Sequence, residues 1–88
     1  MTPESLSARN ARTLRKLQEV PVRSDIEWTR VEHMLKALGA ELTEGRGSRV
    51  RLSLNGVRAV FHRPHPRREM DKGSVRSLKE FLMRSGVI

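Results

Sequence analysis

The dipeptide Asn55-Gly56, set between two stretches of alternating side chains, constrains this chain more than any other feature. Asn and Gly both tolerate the left-handed backbone, so the pair closes a two-residue type I′ turn whose twist suits antiparallel strands. Over residues 48–54, Val50, Leu52 and Leu54 point one way and Arg49, Arg51 and Ser53 the other. Residues 57–62 return. A two-residue turn fixes the register. It pairs Leu54 with Val57, Leu52 with Ala59 and Val50 with Phe61 on one face. On the other it pairs Ser53 with Arg58, Arg51 with Val60 and Arg49 with His62.

The apolar face needs a cover, and the flanking sequence supplies helices. Trp28, Val31, Met34, Leu35 and Leu38 recur at helical spacing. Ser24 and Glu27 stand before them at capping-box spacing, and Gly39 after them is a natural stop. Residues 40–44 read as a short strand, and Gly45-Arg46-Gly47 as a turn. Pro64 and Pro66 end the hairpin, and residues 64–73 read as a polar loop. A last helix from about Ser74 carries Val75, Leu78, Phe81 and Leu82 and ends at Gly86. Residues 5–19 read as a short basic helix whose stripe (Leu6, Ala11, Leu14, Leu17) is weak enough for a loosely docked arm. Pro21 ends it.

The expected fold class is therefore α+β: helix, three-stranded antiparallel sheet, helix, with an extra basic N-terminal helix. Eighty-eight residues allow one folded core. The expected organisation is a basic arm, helix and linker at 1–23 and a single domain at 24–88.

With no cysteine in the chain, a disulfide framework, a thiolate zinc site and a cysteine nucleophile are ruled out. The first twenty residues lack the apolar core of a signal peptide, and no run reaches membrane-spanning length. A cytoplasmic protein with no membrane partner is expected. No glycine-rich nucleotide loop is present, and no cofactor is expected.

The net charge of +8 points to polyanionic partners, and its distribution says where they bind. Residues 25–44 carry an excess of acids. Residues 45–68 carry seven arginines and no acid. Guanidinium forks match phosphate geometry, which solubility alone does not require. The hairpin places Arg49, Arg51, Arg58 and His62 on one open face, and Arg46 and Ser48 stand at its mouth. Phe61 faces the core and the chain has no Tyr, so recognition of the phosphate backbone is favoured over base stacking. RNA is the expected partner.

Phe61-His62-Arg63-Pro64-His65-Pro66 places two histidines three residues apart beside arginine. RNA cleavage without metal needs a base for the 2′-hydroxyl proton and an acid for the leaving 5′-oxygen. Histidine is the side chain that exchanges protons near neutrality. Arg49, Arg51 or Arg63 can meet the charge that develops on phosphorus. A metal site is disfavoured, because residues 45–68 hold no carboxylate. Lys72-Gly73-Ser74 at a helix start suits either a phosphate or simple capping by Ser74. Arg76 follows one turn on.

Several stretches, in order, resemble the HicA-type toxins of bacterial toxin–antitoxin pairs. They are Leu38-Gly39-Ala40, Gly47-Ser48-Arg49-Val50-Arg51-Leu52, Val57-Arg58-Ala59-Val60, Arg63-Pro64-His65-Pro66, Lys72-Gly73-Ser74-Val75 with Leu78, and Ser85-Gly86-Val87. The resemblance covers about two thirds of the chain and leaves the basic N-terminal segment unmatched. It implies a fold like the double-stranded-RNA-binding domain and a metal-independent endoribonuclease acting on mRNA. It also implies a HicB-type antitoxin, with the toxin monomeric alone and hetero-oligomeric when neutralised. The family's usual histidine follows a Gly-Ser turn. Here Gly47-Ser48 leads into Arg49-Val50. His65 matches a second histidine found in the family's proline-rich turn. His62 lies across from Arg49, beside the missing position, and is the expected substitute. The expected catalytic set is thus His62, His65 and Arg49. The expected RNA contacts are Arg46, Ser48, Arg51, Arg58, Arg63, Lys72 and Arg76.

Overall fold

The computed structural model describes residues 6–88. The predicted start of the first helix, at residue 5, lies outside them, as do residues 1–4 of the expected arm. The elements are α1 (Ala8–Leu17), α2 (Trp28–Ala37), β1 (Glu41–Glu44), β2 (Arg49–Leu54), β3 (Val57–His62) and α3 (Lys72–Arg84). The strands form one antiparallel sheet in the order β1-β2-β3. This is the expected α+β class, in the order helix, helix, sheet, helix, and it is consistent with the double-stranded-RNA-binding-like arrangement.

The hairpin has the predicted register throughout, from Leu54 with Val57 to Arg49 with His62. Asn55 and Gly56 both take positive φ, 51° and 81°, as a type I′ turn requires. Val50, Leu52, Leu54 and Phe61 are buried beneath the helices, with Val57 and Ala59 half-buried beside them. Trp28 and Phe81 lie on either side of Phe61, with ring centroids 6.3 and 6.4 Å away. Each such aliphatic or aromatic side chain contributes roughly 1.5–3 kcal/mol by leaving water.

Three local expectations are corrected. The first helix is not loosely docked. Its N-terminus is capped by Ser7, whose hydroxyl accepts from the Asn10 N–H at 3.2 Å. Leu14 and Leu17 are buried in the common core, and α1 packs against both α2 and α3. Arg23 secures the exit from this helix by pairing with Glu19 and Asp25, each at 2.6 Å.

The second correction concerns the start of α2. Ser24 does not cap it; the helix begins at Trp28, with Glu27 at the cap position and no side-chain capping bond. The reason is a long-range pairing. The Met70 N–H donates to Ile26 O at 2.9 Å and the Trp28 N–H to Arg68 O at 3.0 Å. This bridge between Glu27 and Glu69 holds the segment extended.

The third correction concerns α3, which begins at Lys72 rather than Ser74. Asp71 is its cap, accepting from the Ser74 N–H at 2.7 Å. None of the helices among the described residues is long and apolar enough to cross a membrane.

Candidate nucleic-acid interface

The open face of the sheet is built by strand alternation. Arg49, Arg51 and Arg58 are exposed there, and so is His62. Arg49 stands directly opposite His62, Arg51 opposite Val60, and Ser53 opposite Arg58. Val60 is 56% exposed and supplies an apolar spot among the cations. β1 adds Thr43 beside Arg51 and Glu41 beside Ser53. Glu41, contributed by the third strand, thus places one acid at a corner of this face.

The mouth of the face is shaped by the β1–β2 connection. The Gly45 N–H donates to Arg49 O at 2.9 Å, and the Arg49 N–H to Arg46 O at 3.2 Å. A side chain on Gly45 would bring its Cβ within 3.2 Å of the Arg49 Cβ, so glycine there lets Arg49 sit close. The same turn brings Ser48 to β3. The Arg63 N–H donates to Ser48 O at 2.8 Å. Ser48 Oγ lies 3.3 Å from His62 Nδ1, which fixes the ring and leaves Nε2 as its free nitrogen.

Arg63 is placed differently from its neighbours. Its side chain turns to the helical side of the sheet, where Nη2 meets Glu44 at 3.0 Å and Glu32 at 3.5 Å. Two carboxylates occupy the guanidinium that was expected to meet RNA. Sequence alone gave no sign of this, because the acids come from α2 and β1.

His65 is exposed in the loop after β3. Among the described residues its side chain makes no hydrogen bond or ion pair. Arg46, Lys72 and Arg76 are also exposed. A shallow groove of ≈ 380 Å³ runs along β3 between His62 and the first turns of α3, lined by Asp71, Ser74 and Ser77. Lys72 and Arg76 do not line it. The Asp71 carboxyl is lowered below its usual range, first by the backbone N–H of Ser74 and then by the Ser74 side chain. Capping by Ser74 is therefore corrected: the Asp71 carboxylate is the cap and accepts from the Ser74 N–H. Sequence reading missed Asp71 as a neighbour of His62. The signal was the Asp71-x-x-Ser74 spacing, an N-cap pattern read one turn too late.

The model of the family described as HicA toxin of bacterial toxin–antitoxin matches residues 28–86. The chain belongs to the HicA toxin family. No curated protein and no solved structure matches it. The match takes in α2, the sheet and α3, which together carry His62, Arg49 and the basic face. Membership makes the chain a component of the toxin–antitoxin type. α1 and the segment up to Glu27 lie before the matched region.

Proposed function

We propose that this HicA-family protein is an endoribonuclease toxin that binds mRNA on the open sheet face and cleaves it without metal. A HicB-type antitoxin neutralises it by covering the same face. The observation that carries the reading is the direct pairing of Arg49 with His62 on an exposed cationic face, with Ser48 Oγ at His62 Nδ1.

The chemistry follows from that geometry. Arg49, Arg51, Arg58 and Arg46 hold phosphates and fix the strand on the face. His62 takes the 2′-hydroxyl proton, and the 2′-oxygen attacks phosphorus. The 5′-oxygen leaves with a proton from His65, which the exposed loop carries three residues on. Arg49 meets the negative charge that builds on the phosphoryl oxygens. Ser48 sets the orientation of the His62 ring. Lys72 and Arg76 extend the cationic border. Arg63 belongs to the scaffold, since Glu32 and Glu44 neutralise it. In this reading His62 replaces the histidine that relatives carry after the Gly-Ser turn, where Val50 is fully buried and unable to reach RNA.

The test is cleavage of mRNA by purified wild type, His62→Ala and His65→Ala, each checked for folding by circular dichroism. Loss of about 10²–10⁴-fold in rate for His62→Ala supports the assignment. Undiminished cleavage by both variants overturns it. Salt-sensitive RNA binding by wild type with the RNA left whole would instead favour a non-catalytic RNA-binding or antitoxin-docking module.

A further inference from the structure

A second cationic surface lies on the helical side of the molecule, away from the open sheet face. A cleft of ≈ 510 Å³ opens between α1, the segment before α2 and the loop before α3. Arg9, Arg12 and Lys16 face it from α1, Arg30 from α2 and Arg67 from the loop. Among the described residues none of these five is ion-paired, whereas Arg23 and Arg63 nearby in sequence each hold two carboxylates. Arg9 with Arg12, and Arg12 with Lys16, are like charges at helical-neighbour spacing, which destabilises a helix unless something offsets it. The acids at the cleft offset it only in part, three carboxylates standing against five cations. Asp25 is bound to Arg23, and Glu27 and Glu69 face each other across the bridge that joins their segments.

We infer that this cleft is a second RNA-phosphate site, so that the bound strand continues from the sheet face over residues 64–68 and onto α1. The inference rests on the RNA-binding reading of the sheet face and extends it to a helix outside the family-matched region. Two observations favour RNA over an acidic protein. Four of the five cations are arginines, suited to phosphate forks. The cleft also offers no exposed apolar anchor, since Ile26 at its floor is only 3% exposed, and protein interfaces depend on such anchors. The polycationic run of the sequence itself ends at Arg67 and Arg68, of which Arg67 lines this cleft, and so links the two surfaces.

The test compares salt dependence of binding to a mixed-sequence single-stranded RNA. The cleft variant carries Arg9→Ala, Arg12→Ala and Lys16→Ala. A charge-matched control carries Arg15→Ala, Lys79→Ala and Arg84→Ala, all off the cleft. A sheet variant carries Arg51→Glu. Three lost phosphate contacts flatten the slope of log affinity against log salt by about 2, so between about 50 and 200 mM salt the wild type loses roughly 20-fold more affinity than the cleft variant. The control keeps the wild-type slope. Equal slopes for cleft variant and control overturn the inference. So does a cleft variant that binds RNA as wild type does but loses the antitoxin, which would make the cleft a protein site. If the sheet variant loses RNA while the cleft variant does not, the proposed function stands and this extension fails. If wild type binds no RNA, both fail.

Discussion

Asn55 Nδ2 donates to the carbonyl oxygen of Ser85 at 2.8 Å, joining the hairpin turn to the end of α3. The turn and the helix terminus thus satisfy each other. Ser85 is itself buried, with its hydroxyl donating to Leu82 O at 3.1 Å. Asn55 therefore serves twice, as a side chain that bonds and as a residue that tolerates φ of 51°. The two roles separate by substitution. Asn55→Gly keeps the backbone and loses the bond, a cost of about 1 kcal/mol. Asn55→Ala loses the bond and strains the backbone, a cost of about 2 kcal/mol. Urea unfolding measures both. Equal losses would show that the backbone role is empty.

Leu17 is 2% exposed and sits in the core shared by α1, α2 and α3. Leu17→Ala is expected to cost about 2–5 kcal/mol, as for a fully enclosed leucine. A loss below about 1 kcal/mol would mean that α1 detaches readily and that the rest of the molecule stands without it. Amide hydrogen exchange in α1 provides a second readout of the same question.

Acid stability carries a signature of the two capping and linking carboxylates. The Arg23 guanidinium holds the Asp25 carboxyl at about 2, against the usual 3.8. Asp71 is lowered by the Ser74 N–H. Both groups bind a proton less readily folded than unfolded. Their contribution is therefore complete above the unfolded value of 3.8 and lost as pH falls through the lowered folded values, about 2 for Asp25. Thermal melts over this range should show a shallower decline for Asp25→Asn and Asp71→Asn than for wild type. Parallel curves would mean that neither carboxylate contributes.

The pairing of Arg63 with Glu32 and Glu44 makes it a reserve of positive charge. Glu32→Gln with Glu44→Gln frees the guanidinium at a stability cost of no more than about 1 kcal/mol, because the pairs are partly exposed. RNA affinity at low salt should rise in the double variant and return to the wild-type value when Arg63→Ala is added. Unchanged affinity would place Arg63 out of reach of the bound strand.

The hairpin was legible because its determinants are local. Asn55-Gly56 sets the turn, alternation sets the faces, and the register follows for every pair. The buried stripes of α2 and α3 were legible for the same reason, and so was the exposed placement of Arg49 opposite His62. The helix starts were harder. Ser24-x-x-Glu27 has capping-box spacing, but Ile26 and Met70 bond across a distance in sequence that no local pattern shows. Asp71 rather than Ser74 caps α3, its carboxylate accepting from the Ser74 N–H at 2.7 Å. The docking of α1 depends on α3, and the neutralisation of Arg63 on α2 and β1. Each requires knowing which distant elements become neighbours.

The burial of α1 against α3 also has a consequence for synthesis. α1 ends at Leu17 and α3 begins only at Lys72, so α1 leaves the ribosome well before the helix it packs on. Until then Leu14 and Leu17 lack part of their cover, and the sheet lacks the helix that packs on β3. Domains fold as units once their interacting parts are available. A nascent chain therefore cannot complete the packing behind its basic sheet face before α3 has emerged.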